Sequence, residues 1–158
     1  MKRYIKISIF ILTIILFSSC RNDDKKSEKS YIKVNAEIPE LLKKDTIIAI
    51  HLHDLSENLD NFAIIVEEIA DGIDEIGMKD IKKPSLVEKL KFMSLIVPKI
   101  EPAMQVVKQL QKLEIISEQI KDTLPQEKKM AFESFEGLYK VRFDSLNVRF
   151  KKYIENNK

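Results

Sequence analysis

The chain has 158 residues, 44% hydrophobic and 33% charged, with a formal net charge of +2. That excess comes from Lys2, Arg3 and Lys6, ahead of Cys20; without them 24 basic residues face 25 acidic ones, which gives no footing for a nucleic-acid partner. A lone cysteine excludes an internal disulfide, and three glycines without a tryptophan favour long helices with few turns in one domain.

The first element is a secretory signal. Lys2, Arg3 and Lys6 lead into an apolar run over residues 7–17, followed by Ser18, Ser19 and Cys20. A basic start, a short apolar middle and small residues at the cut are its three parts. The run is shorter than the roughly 20 residues that span a bilayer, which argues against an uncleaved anchor helix. With a cysteine directly after the small residues, the segment resembles a bacterial lipoprotein signal. Phe17 stands where that pattern usually has an aliphatic residue. The resemblance implies removal of residues 1–19, acylation of Cys20 and attachment to a membrane of the bacterial cell envelope, expected to be the outer membrane. Asp23 and Asp24 resemble the acidic tags that send some lipoproteins to the cell surface, and Arg21, Lys25 and Lys26 interrupt the acidic run. The periplasmic and surface faces both stay open.

Residues 20–30 read as a tether. Residues 21–30 hold no apolar side chain, so they have no surface to bury against the entropy of ordering. Residues 31–158 read as a helical domain, in which no internal repeat stands out.

The first helix is predicted over about 39–77, intact or broken near Asp45. Ile48, Leu52, Leu55, Leu59, Phe62, Val66, Ile69, Ile73 and Ile76 recur in alternating steps of four and three, which keeps one seam facing a partner helix. With Leu52 as position a, the e positions are Ala49, Ser56, Ala63, Ala70 and Gly77, all small, so that flank is expected to be buried too. A turn follows over 77–84.

Ser85 and Glu88 form a capping box that opens a second helix over about 85–121. Its expected apolar stripe is Leu86, Leu90, Met93, Val97, Ile100, Met104 and Val107, shifting to Val106, Leu110, Leu113, Ile120 and Leu124. Pro98 and Pro102 each remove a backbone donor and clash with the preceding turn, so a kink or break is expected there. A last helix over about 125–155 carries Phe132, Phe135, Tyr139, Phe143, Leu146, Phe150 and Tyr153 as its core stripe. Each helix is roughly 45–60 Å long at 1.5 Å per residue. Matched lengths and short turns predict an all-α, elongated, antiparallel up-down-up three-helix bundle, with a four-helix bundle if the prolines break the middle helix.

Chemistry is sparse. His51 and His53 are the only histidines; two apart on a helix, they point away from each other and are expected on the surface or rim. Glu-x-x-His repeats, CxxCH, a phosphate-cradling glycine loop and a G-x-S-x-G elbow are all missing from the sequence. No enzyme, cofactor or metal site is therefore expected. The strongest lead is electrostatic. Residues 45–75 hold nine acidic residues and no Lys or Arg. Asp54, Glu57, Asp60, Glu67, Glu68, Asp71, Asp74 and Glu75 fall at b, c or f, away from the seam and poorly placed to pair with the other helices. Ile64 sits apolar among them. Asp60, Ile64, Glu67, Glu68 and Asp71 thus form a candidate partner-binding face. The basic cluster Arg149, Lys151 and Lys152 suits a helix C-terminus. The expectation is a lipid-anchored, non-enzymatic interaction or scaffold module for an unknown protein partner. The alternative is a binding module for a small apolar or cationic ligand held between helices near the prolines and the aromatic stripe.

Overall fold

The computed structural model describes residues 31, 33–77 and 84–155, and among these residues the secondary structure is four helices. They are α1 (Glu40–Lys43), α2 (Thr46–Glu75), α3 (Leu86–Thr123) and α4 (Gln126–Glu155). The signal segment, Cys20, the tether over 21–30 and the turn residues 78–83 lie outside the described residues, as do the side chains of Phe150, Lys152 and Tyr153.

The expected first helix is divided at Asp45. Its backbone is extended there, and its carboxylate accepts the amides of Ile47 and Ile48, capping α2 and leaving α1 as a single turn. From that cap the seam buries Ile48, Leu52, Leu55, Leu59, Phe62, Val66, Ile69 and Ile73. On the small flank Ala63 and Ala70 are fully buried, Ala49 and Ser56 half-buried, and Gly77 exposed in a left-handed turn (φ 66°).

The Ser85–Glu88 capping box is formed in both directions and opens α3. The helix runs through Pro98 and Pro102 to Thr123 within one set of bounds. Its stripe matches the expected one from Ile100 onward and departs from it before that point. Leu86 and Leu90 are exposed, and the buried positions are Ile96, Lys99, Ala103 and Ser117, flanked by Phe92, Leu95, Ile100, Val106, Val107, Leu110, Leu113, Ile120 and Leu124. Gly72 is one reason. A Cβ there would lie 2.4 Å from the Leu95 methyls, so the missing side chain lets α3 settle on α2 at Leu95. Glu68 is the other, drawing Lys99 inward as an ion pair.

On α4 the aromatic stripe is in the core: Phe132, Phe135, Tyr139, Phe143 and Leu146 are buried. Cross-helix pairs give the directions. His51 meets Ser117, Glu68 meets Lys99 and Gly72 meets Leu95, so α3 runs against α2. His51 meets Phe132, Phe62 meets Phe143 and Asp71 meets Arg149, so α4 runs with α2. Residues 33–39 are a strap without regular secondary structure, from which Val34, Ala36 and Ile38 pack against the core.

Candidate functional site

The acidic strip of α2 is not a free outer face. Asp60 is 2% exposed and accepts three donors: Arg142 Nη1 at 2.8 Å, the Val34 amide at 2.8 Å and the Asn35 amide at 3.2 Å. Asn35 takes a left-handed conformation (φ 45°), which asparagine tolerates better than most residues, and its amide and the preceding one converge on one carboxylate. Arg142 also grips both oxygens of Glu67 through Nη2, with Nε on one of them. Two turns further along α4, Arg149 bridges Asp71 and Asp74, each at 2.6 Å. Tyr31 donates its hydroxyl to Asp71 at 3.1 Å, and burial together with the Asp71 charge pushes that phenol up to about 12. Glu68 pairs with Lys99 of α3, and Ile64 is half-buried.

This corrects the expectation that Asp60, Glu67, Glu68 and Asp71 are poorly placed to pair within the chain. Residues at b, c and f do face away from a two-helix seam. Here α2 is covered by α3, by α4 and by the strap, so much more of its circumference is enclosed. The signal lay in α4. Arg142 and Arg149 are the only arginines of residues 31–158, and each sits in the tripeptide Val-Arg-Phe, repeated seven residues apart. In its first copy Phe143 enters the core, Arg142 clamps α2 and Val141 faces outward. Arg149, expected to serve the helix C-terminus, is instead half-buried between two carboxylates.

A second polar group lies deeper. His51, expected on the surface or rim, is buried at position g, and its Nε2 is 2.8 Å from Ser117 Oγ on α3. Its ring stacks on Phe132 at 6.1 Å, and Lys121 Nζ lies 5.9 Å from the centre of the same ring. Burial lowers the imidazole pKa, against the pull of Asp54. Lys121 bonds Glu118 at 2.6 Å and Glu136 at 3.3 Å. Burial raises the Glu136 carboxyl, opposed by Lys121, and its Oε1 is buried without a hydrogen-bond partner. Ser117 has no exposed surface, so its hydroxyl is closed to any substrate and serves as a structural partner for His51. His53 is exposed, with Nδ1 3.9 Å from Asp54. The two histidines share no site, and among the described residues no group of three or more His, Cys, Asp or Glu is placed to hold a metal ion.

The outer surface carries unpartnered apolar side chains. Met130, Leu138, Val141 and Val148 are exposed on α4, and their spacing puts them on the face opposite its aromatic stripe. Leu86, Val87 and Leu90 are exposed at the start of α3, and Ile47 and Ile50 at the start of α2. A shallow depression of about 640 Å³ runs along α3 past Gln111, Ile115 and Gln119, away from Pro98 and Pro102. Among the described residues, no helix is long and apolar enough to cross a membrane. Comparison with protein-family models, with curated proteins and with solved structures yields no match to this chain.

Proposed function

We propose that this protein is a lipid-anchored, non-enzymatic interaction module of the bacterial cell envelope, held to the outer membrane through Cys20. In this reading residues 1–19 are a cleaved lipoprotein signal. The domain is an up-down-up three-helix bundle, with α1 a single capping turn and α3 bent at Pro98 and Pro102. The lipid anchor rests on the layout of residues 2–20.

The interaction role rests on one observation: α4 is apolar on two opposite faces. Phe132, Phe135, Tyr139 and Phe143 fill the core, while Met130, Leu138, Val141 and Val148 form a second stripe in solvent. A bundle helix needs only the first. A second stripe running roughly 27 Å along the axis suits a partner protein that lays an apolar helix face against it. Asp60, Glu67, Glu68 and Asp71 are engaged within the chain, so the partner surface is assigned to α4 rather than to the acidic strip of α2.

The test is photo-crosslinking in cells from position 141, with exposed Glu101 on α3 as control. A discrete adduct from position 141, lost in the Leu138→Asp variant at unchanged melting temperature, supports the reading. No reproducible adduct from 141, or the same adducts from 101, overturns it.

A further inference from the structure

We propose that the end of the bundle formed by the start of α3 and the end of α4 rests on an anionic phospholipid surface, with Leu86, Val87 and Leu90 entering the interface. The inference rests on the lipid-anchored reading above and goes beyond it, because an anchor alone does not orient the domain. Leu86, Val87 and Leu90 are 74%, 61% and 59% exposed within one and a half turns of the capped helix start. Lys89 and Lys91 are exposed among them, and Lys151 is exposed near the end of α4. Apolar side chains interleaved with lysines match a bilayer interface, where the first enter the acyl boundary and the second meet phosphates. Ile47 and Ile50, exposed at the start of α2, lack this setting, since residues 45–75 hold no Lys or Arg.

The path of the chain selects this end independently. Along α2 the strap runs from Val34 and Asn35, held at Asp60, to Tyr31, held at Asp71. Tyr31 is therefore held toward the C-terminal end of α2. Leu95 of α3 sits at the level of Gly72, so Leu86–Leu90 lie roughly 10 Å beyond it in the same direction. Ten residues, 21–30, separate Cys20 from Tyr31, at most about 35 Å of fully extended chain. A lipidated Cys20 is thus tethered to the bundle at this end, through Tyr31 at Asp71. Ile50 lies roughly 30 Å away along α2, one residue from the His51–Ser117 contact.

The experiment uses the mature lipoprotein in vesicles of phosphatidylcholine with a minority of phosphatidylglycerol and a lipid-borne quencher. Val87→Cys and, separately, Ile50→Cys carry a thiol-reactive fluorophore. Both sites are exposed, so neither substitution disturbs the core. Several-fold stronger quenching at 87 than at 50, weakened in pure phosphatidylcholine or high salt and lost in the Leu86→Ser/Leu90→Ser background, is the expected result. Equal quenching at both positions on vesicle-bound protein overturns the proposal. The dye count reads the anchor separately. An acylated Cys20 leaves one reactive thiol per chain, whereas two dyes per chain overturn the lipid-anchored reading and, with it, the reason for choosing this end.

Discussion

Asp60 shows how one side chain ties three segments together. It meets α4 through Arg142 and the strap through the amides of Val34 and Asn35, while sitting 2% exposed on α2. Removing one partner of a buried pair strands the other. Asp60→Ala is expected to cost about 2–4 kcal/mol, with Glu67 retaining part of the Arg142 charge. Denaturant unfolding measures the loss, and amide exchange at Val34 and Asn35 should accelerate beyond the global change as the strap comes free. His51 sets a pH dependence. Its folded pKa is depressed by burial below the ordinary 6.5, so the unfolded chain takes the proton more readily. The contribution is therefore complete above 6.5 and declines as pH falls through 6.5 toward the folded value. Glu136 acts oppositely in a different window. Its raised folded pKa gives stability below the ordinary 4.5 that is lost as pH rises through the folded value. Urea midpoints between about pH 7.5 and pH 5.5 should fall more in the parent than in His51→Gln, whose amide can still meet Ser117. Equal slopes would show that His51 does not carry the dependence.

At the scale of elements, the two ends of the α2–α3 contact rest on different devices. Ser85 caps α3 from an exposed position, accepting the Glu88 amide at 3.2 Å. Ser85→Ala should cost about 1 kcal/mol, read as a lower melting temperature at unchanged helix content. Gly72 acts by absence. Replacing a helical glycine normally gains up to about 1 kcal/mol in propensity, so a loss on substitution isolates the clash with Leu95. Gly72→Val should be destabilising by about 1–3 kcal/mol, and Leu95→Ala should relieve part of it in a double-mutant cycle. These elements differ in how far the sequence revealed them. The seam of α2, the cap at Ser85 and the aromatic stripe of α4 were legible because period and capping are local properties, while Asp45 was legible only as a point of interruption and not as a cap. The face of α3 was legible from Ile100 onward but not at its start. Leu86 and Leu90 fit the expected stripe, but the docking of Leu95 at Gly72 and of Lys99 at Glu68 turned the helix onto a neighbouring one. Nothing within α3 encodes those partners. The arginine clamps were half-legible: the acidic strip and the Val-Arg-Phe repeat are both in the sequence, but linking them required knowing that α2 is enclosed on more than one side.

Across the whole molecule, packing is uneven. α2 has buried positions along its length from Ile48 to Ile73, whereas α3, the longest helix, buries only Ile96, Lys99, Ala103 and Ser117. α2 is thus the hub, joined to α4 by Phe62–Phe143 and the arginine clamps and to α3 by His51–Ser117, Glu68–Lys99 and the Gly72 contact. Local opening follows buried contact rather than helix length. The stretch of α3 before Phe92 has a cap and three exposed apolar side chains, and no buried residue until Ile96. Native-state amide exchange should therefore separate the two. Amides over 52–73 should exchange only with global unfolding, while those over 89–93 should open several kcal/mol more easily. Ser85→Ala should speed exchange over 89–93 further and leave 52–73 shifted only by its small global cost. Uniform protection along α3 would mean that the start of this helix is as firmly held as the hub, and would contradict the unequal packing from which the prediction is drawn.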